Sequence, residues 1–175
     1  MKPLCLRTLV LAALVFLAPA LLAPNLARAE DSSLLILNAG VFDLVSHRTQ
    51  RAEGRLEYRF GDGLFESDGA FRGFKPLLGI MANSAGAVFG YGGFAAPFDW
   101  GKWEFTPAAG IGGYHQGNSI DLGGTFEFHL SLGLSYAVTE NTKVGLAIDH
   151  ISNANTHPKN PGVNSILATF AIALD

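Results

Sequence analysis

The sequence predicts an all-β protein, an eight-stranded antiparallel transmembrane β-barrel, and three observations carry that reading. Beyond residue 30 the dominant signal is alternation of period two, which marks strands with two unlike faces. The clearest run is Thr125 to Tyr136, TFEFHLSLGLSY. It sets Phe126, Phe128, Leu130, Leu132, Leu134 and Tyr136 on one face and Thr125, Glu127, His129, Ser131, Gly133 and Ser135 on the other. No convincing amphipathic helix interrupts the series. The chain also carries 21 glycines among 175 residues, which suits a small barrel with sharp bends and a crowded interior.

The first 29 residues read as a secretory signal peptide. Lys2 and Arg7 give a basic start, LVLAALVFLAPALLAP an apolar centre, and Ala27-Arg28-Ala29 a small-residue cleavage site before Glu30. Pro19 and Pro24 interrupt the apolar run and argue against a transmembrane helix. Residues 30–175 then form the barrel. Cys5 is the single cysteine, so this portion has no disulfide, cysteine nucleophile or cysteine metal site. It carries nine basic and fifteen acidic residues, a net charge of −6, which argues against nucleic acid as a partner.

Eight strands are predicted, at 33–44, 54–60, 73–84, 86–96, 102–113, 124–137, 142–153 and 164–174. Gly, Pro, Asn and Asp punctuate the gaps: GDG at 61–63, PFDWG at 97–101, HQGN at 115–118, TENT at 139–142 and KNPG at 159–162. In the second strand Leu56, Tyr58 and Phe60 alternate with Arg55, Glu57 and Arg59. FGYGGFAA, 89–96, resembles a phosphate loop only in composition. It precedes no helix and reads as strand.

Alternation does not say which face points inward. A lipocalin-like soluble barrel would turn the apolar face in, and a membrane barrel would turn it out. Six bulky side chains from one strand overfill the lumen of eight strands. The other face carries both signs of charge, in Arg55, Arg59, Glu57 and Glu127, which can pair within a lumen. Strands of about ten tilted residues also match the hydrocarbon thickness, and only closed barrels or helices satisfy their backbone in lipid. The apolar face is therefore expected outside, with Trp100 and Trp103 in an interfacial belt.

An even strand count puts both termini on the periplasmic side. The seventh strand then runs outward, and the 154–163 loop is extracellular. Val144, Leu146, Ile148, His150 and Ser152 share its lipid face. On the eighth strand Asn164, Ile166, Ala168, Phe170, Ile172 and Leu174 share the same face. His150, Ser152 and Asn164 should therefore point outward together near the outer leaflet. Residues i and i+2 of a strand lie about 7 Å apart, within reach of an imidazole for a hydroxyl. An imidazole can act as general base to such a serine.

This region resembles the lipid A 3-O-deacylase (PagL-like) family of outer-membrane barrels, broadly termed acyloxyacyl hydrolases. The resemblance rests on His150-Ile151-Ser152-Asn153-Ala154 and on Asn160-Pro161-Gly162 before the last strand. LGGTFEFHLSLGLSY, 122–136, is similar to the family's sixth strand. The resemblance implies an eight-stranded outer-membrane barrel that hydrolyses the ester of a 3-hydroxyacyl chain on lipid A (lipopolysaccharide). Ser152 would be the nucleophile, His150 the base, and Asn153 with Ala154 the oxyanion site, with no cofactor. The family's third member, a Glu twelve residues after the Ser, is Asn164 here. Asp149 points into the barrel and Glu140 belongs to the periplasmic end, so neither replaces it. Asn164 permits a working Ser-His-Asn variant, a relative acting on a different ester, or a non-enzymatic or weakly active structural barrel retaining the motif.

Other clusters point less clearly to function. His150 and His157 flank a loop, but no third metal ligand has suitable spacing. His47, Arg48, Arg51 and Lys159 belong to outer loops and read either as contacts to lipid A phosphates or as solvated charge.

Overall fold

A computed structural model of the chain describes residues 32–45 and 49–174. The predicted signal peptide and the candidate phosphate contacts His47 and Arg48 lie outside the described residues. The strands are β1 (Ser33–Phe42), β2 (Arg51–Arg59), β3 (Lys75–Asn83), β4 (Val88–Ala95), β5 (Phe98–Trp100), β6 (Trp103–His115), β7 (Phe126–Ala137), β8 (Thr142–Ser152) and β9 (Val163–Leu174). All pairings are antiparallel. β1 pairs with both β2 and β9, and β4 pairs with β6, so the wall closes on itself.

Nine segments make eight strands. β4 pairs with Ala108–His115 of β6, and β5 pairs with Trp103–Phe105 of the same strand in the same direction. β5 is thus the continuation of β4, broken at Ala96-Pro97, where proline has no N–H to donate to the ladder. The sequence reading of PFDWG as a turn is corrected accordingly: Phe98–Trp100 is strand. The turn proper follows at Gly101, whose φ is +61°.

The two faces divide as the alternation requires. Leu130, Leu132 and Leu134 stand on the outer face, each about half exposed, as do Leu56, Ile80, Ile148 and Phe170. The lumen is polar. Arg55 is held by Glu53 and Asp149 and donates to His129 Nε2 at 2.9 Å. Ser165 donates to Glu53 Oε2 at 2.6 Å. Nearer the chain termini, Arg59 lies 3.1 Å from Glu57, and Lys143 lies 2.7 Å from Glu104. Opposite charges packed this closely offset much of each other's desolvation.

The expected pairing of Glu127 fails. Its side chain is fully buried, yet neither carboxylate oxygen has a hydrogen-bond partner among the described residues. The cations of the network sit deeper in the lumen, beside Asp149 and Glu57. The apolar core lies at the end away from the termini, where Phe42, Met81, Phe89, Leu122, Ile151 and Val163 plug the lumen. That plug fixes the end of β8 on which the site stands.

Candidate active site

His150 and Ser152 occupy the last turns of pleat on β8. Their inward neighbours Asp149, Ile151 and Asn153 are buried, so the period of two turns His150 and Ser152 to the outer face. Both are half-buried. The β8–β9 register sets His150 directly opposite Asn164, and the β7–β8 register sets Ser152 opposite Phe128 and His150 opposite Leu130. The polar pair therefore lies against an apolar wall, the surroundings an acyl chain would find favourable.

Asn164 meets the imidazole directly: His150 Nδ1 and Asn164 Oδ1 are 3.0 Å apart. In the tautomer that carries its proton on Nδ1, His150 donates to that oxygen and leaves Nε2 with a free lone pair. Gly162 closes the other side of the ring. Its φ is +59°, and a Cβ there would come within 2.9 Å of His150 Cε1. A side chain at 162 would both strain the backbone and displace the imidazole.

After Ser152 the chain reverses in a tight turn. Ala154 and Asn155 adopt φ values of +52° and +64°, and Thr156 N–H donates to Asn153 O at 3.0 Å. Two successive left-handed residues that are not glycine cost backbone energy. Asn153 offsets that cost by bracing the turn from within. Its fully buried side chain donates from Nδ2 to Leu122 O and to Lys159 O, both at 2.8 Å, and accepts from Asn155 N–H at 3.0 Å. Its own N–H donates to Asn160 Oδ1 at 3.2 Å.

Asn153 thereby ties the 116–125 loop to the 153–162 loop. Lys159 adds an ion pair to Asp121 at 2.8 Å, and the His157 ring lies over Gly124. The Lys159 hydrogen bond holds the exposed Asp121 carboxyl below its ordinary 3.8. An open recess of about 490 Å³ lies beside this bridge, lined in part by His115, Gln116, Asp121 and Thr125.

The candidates thus separate. His150 and Asn164 meet on the outer face, and Ser152 shares that face two residues along β8. Ala154 follows in the left-handed turn, while the side chain of Asn153 points into the barrel and is engaged with the loops. His157 and His150 have different neighbours. No group of three or more His, Cys, Asp or Glu side chains converges on a metal position among the described residues. Lys159 is paired with Asp121, and Arg51, on the first residue of β2, donates to Gln50 O. Sequence reasoning missed two parts, the Gly162 contact with His150 and the bracing role of Asn153. NPG at 160–162 was the visible signal for the first, since a turn glycine next to a site strand invites a close approach.

A sequence model of the lipid A 3-O-deacylase (PagL) family matches residues 42–173. The chain belongs to that family. The match takes in every strand of the barrel but β1, which it meets only at Phe42, and includes the whole site. Membership places the chain among lipid A deacylases, ester hydrolases built as outer-membrane barrels. The crystal structure of the outer membrane enzyme PagL superposes with a TM-score of 0.60 at 18% identity, covering 81% of this chain and 99% of that one. Neisserial surface protein A (NspA) gives 0.56 at 16% identity over 81% and 97% of the two chains. A de novo designed transmembrane β-barrel gives 0.53 at 13% identity over 85% and 100%. At these identities the superpositions establish the fold, and the family match carries the relationship. No curated protein sequence matches the chain.

Proposed function

We propose that this barrel removes an ester-linked 3-hydroxyacyl chain from lipid A, or a closely related glycolipid, by a Ser-His-Asn mechanism at the outer leaflet. The observation that carries the reading is the 3.0 Å contact of His150 Nδ1 with Asn164 Oδ1, two residues from Ser152 on the lipid-facing side of a PagL-family barrel.

Ser152 Oγ attacks the acyl carbonyl carbon while His150 Nε2 takes the hydroxyl proton. The tetrahedral intermediate collapses, the ester C–O bond breaks, and His150 returns the proton to the sugar oxygen. Water, deprotonated by the same imidazole, then releases the acid and regenerates Ser152. Asn164 holds the tautomer by accepting from Nδ1–H, as the amide does in Cys-His-Asn enzymes. It adds no charge to stabilise the imidazolium, which limits the rate rather than forbidding the reaction. The oxyanion falls to the site around Asn153 and Ala154. Because the Asn153 donors brace the loops, the Ala154 N–H is the assigned donor.

The chain acts in the outer membrane, with lipopolysaccharide as the lipid it meets there. Expression in an outer membrane, followed by mass spectrometry of extracted lipid A, tests this reading. Loss of one hydroxyacyl mass is expected, and unchanged lipid A beside a folded barrel would overturn it. Folding is read from heat-modifiable migration on a gel.

A further inference from the structure

The end of the barrel that carries the termini has an unusual extension. The β2–β3 connection spans residues 60–74, longer than any loop at the site end. It is a folded piece of wall. Leu64 bridges Phe74, and Phe71 bridges Phe98 of β5. Arg72 N–H donates to Pro97 O at 2.9 Å and Asp99 N–H to Ala70 O at 2.8 Å.

Its two faces continue those of the barrel. Phe98 and Trp100 pair with Phe105 and Trp103, which lie in the outer row of β6. Cross-strand partners share a face, so Phe71 follows Phe98, and Leu64 follows Phe74, onto the outside. The polar groups take the other side, with Arg72 bonded to Asp99 at 2.9 Å and Lys75 bonded to Glu66. The segment is thus amphipathic in register with the membrane-facing wall. Its apolar side is open: Phe65 is 79% exposed and Leu64 53%. Phe65 also has a φ of +56°, a conformation that costs a bulky residue energy and holds the ring outward from the tip.

We infer that this apron, residues 61–74 with Phe98–Trp100, lies in the headgroup–acyl boundary of the leaflet at the terminal end, with a glycerophospholipid surface as its partner. Continuity carries the assignment. The apron prolongs a face that lipid already covers, and an aromatic, amphipathic surface is what that boundary accepts. Water alone would leave the Phe65, Leu64, Phe74 and Trp100 side chains exposed, with Phe65, Phe74, Phe71 and Phe98 linked ring to ring. The inference does not depend on catalysis, and its test reads no activity.

The native tryptophans are only Trp100 and Trp103. Trp100→Phe with Trp103→Phe gives a background into which Phe65→Trp places one fluorophore at the tip. The protein is folded into phosphatidylcholine vesicles, with and without brominated acyl chains. The apron predicts blue-shifted emission that loses most of its intensity to the brominated lipid and resists aqueous acrylamide. Emission characteristic of water, open to acrylamide, would overturn it. So would blue-shifted emission indifferent to brominated lipid, which would mean cover by protein, such as a second copy of this chain. Trp103→Phe alone leaves Trp100 as a native probe of the same surface, so a folding failure of the tip variant leaves the proposal open to refutation.

Discussion

Asn164 Oδ1 lies 3.0 Å from His150 Nδ1, across one rung of the β8–β9 ladder, at the position where the sequence resemblance implies a glutamate in the family. The contact has the geometry that orients an imidazole, and it lacks the charge a carboxylate would bring. Exchanging a triad carboxylate for its amide costs about 10⁴ in turnover in a serine protease. Asn164→Glu is therefore expected to raise turnover by a factor between ~10 and ~10⁴. Asn164→Ala should lower it, because the tautomer is then unguided. Steady-state rates on purified lipid A decide both. Equal rates for Asn164, Glu and Ala variants would remove residue 164 from the mechanism.

Gly162 constrains the imidazole from the other side. Gly162→Ala puts a methyl group about 2.9 Å from His150 Cε1 on a left-handed backbone. The ring must move, and a misplacement of about 1 Å costs on the order of 10² in rate. Turnover should fall by that order while heat-modifiable migration persists. Wild-type turnover in a folded Gly162→Ala protein would refute the contact's importance.

Asn153 links two loops through one buried amide. Asn153→Ala leaves the buried Leu122 O without its donor, at a cost of about 1–3 kcal/mol, and removes the part-buried bond to Lys159 O, which water can replace. Protease sensitivity within 153–162 should rise, and urea unfolding in lipid should shift to lower concentration. Activity should fall with loop order. A loss of turnover with no change in protease sensitivity would instead mark the side chain as a direct oxyanion donor.

The Lys159–Asp121 bridge gives the loops an acid limit. Asp121 has a folded pKa below its ordinary 3.8, so its contribution is present above that value and lost as pH falls through the lower folded one. Cleavage of the 153–162 loop by an acid-active protease should increase below about pH 4. Asp121→Asn should make cleavage less dependent on pH over that range. Unchanged pH dependence in the variant would assign the effect to another group.

Much of this was legible in the sequence because period two fixes faces. Once TFEFHLSLGLSY is read as a wall strand, the faces of its neighbours follow, and His150, Ser152 and Asn164 fall on one side together. The break of β4 at Pro97 was not legible, because Pro, Asp and Gly in PFDWG are also turn residues. Only the pairing of Phe98–Trp100 with β6 distinguishes the two readings. The isolation of Glu127 was hidden for a related reason. Alternation gives the face of a charge but not its height in the lumen, and height decides which cation it meets. The inward turn of Asn153 does follow from the same alternation that turns Ser152 out. Its partners, Leu122 O and Lys159 O, come from loops that periodicity does not describe.

The central claim is that Ser152, activated by His150, cleaves an acyl ester. Its most direct test is hydrolysis of lipid A by the folded, purified barrel in ¹⁸O-water, with the released acid and the residual glycolipid weighed by mass spectrometry. The account predicts a free 3-hydroxy acid carrying the heavy oxygen, a glycolipid hydroxyl without it, and no release from the Ser152→Ala protein. Release that persists in folded Ser152→Ala, or heavy oxygen on the sugar instead of the acid, would contradict it.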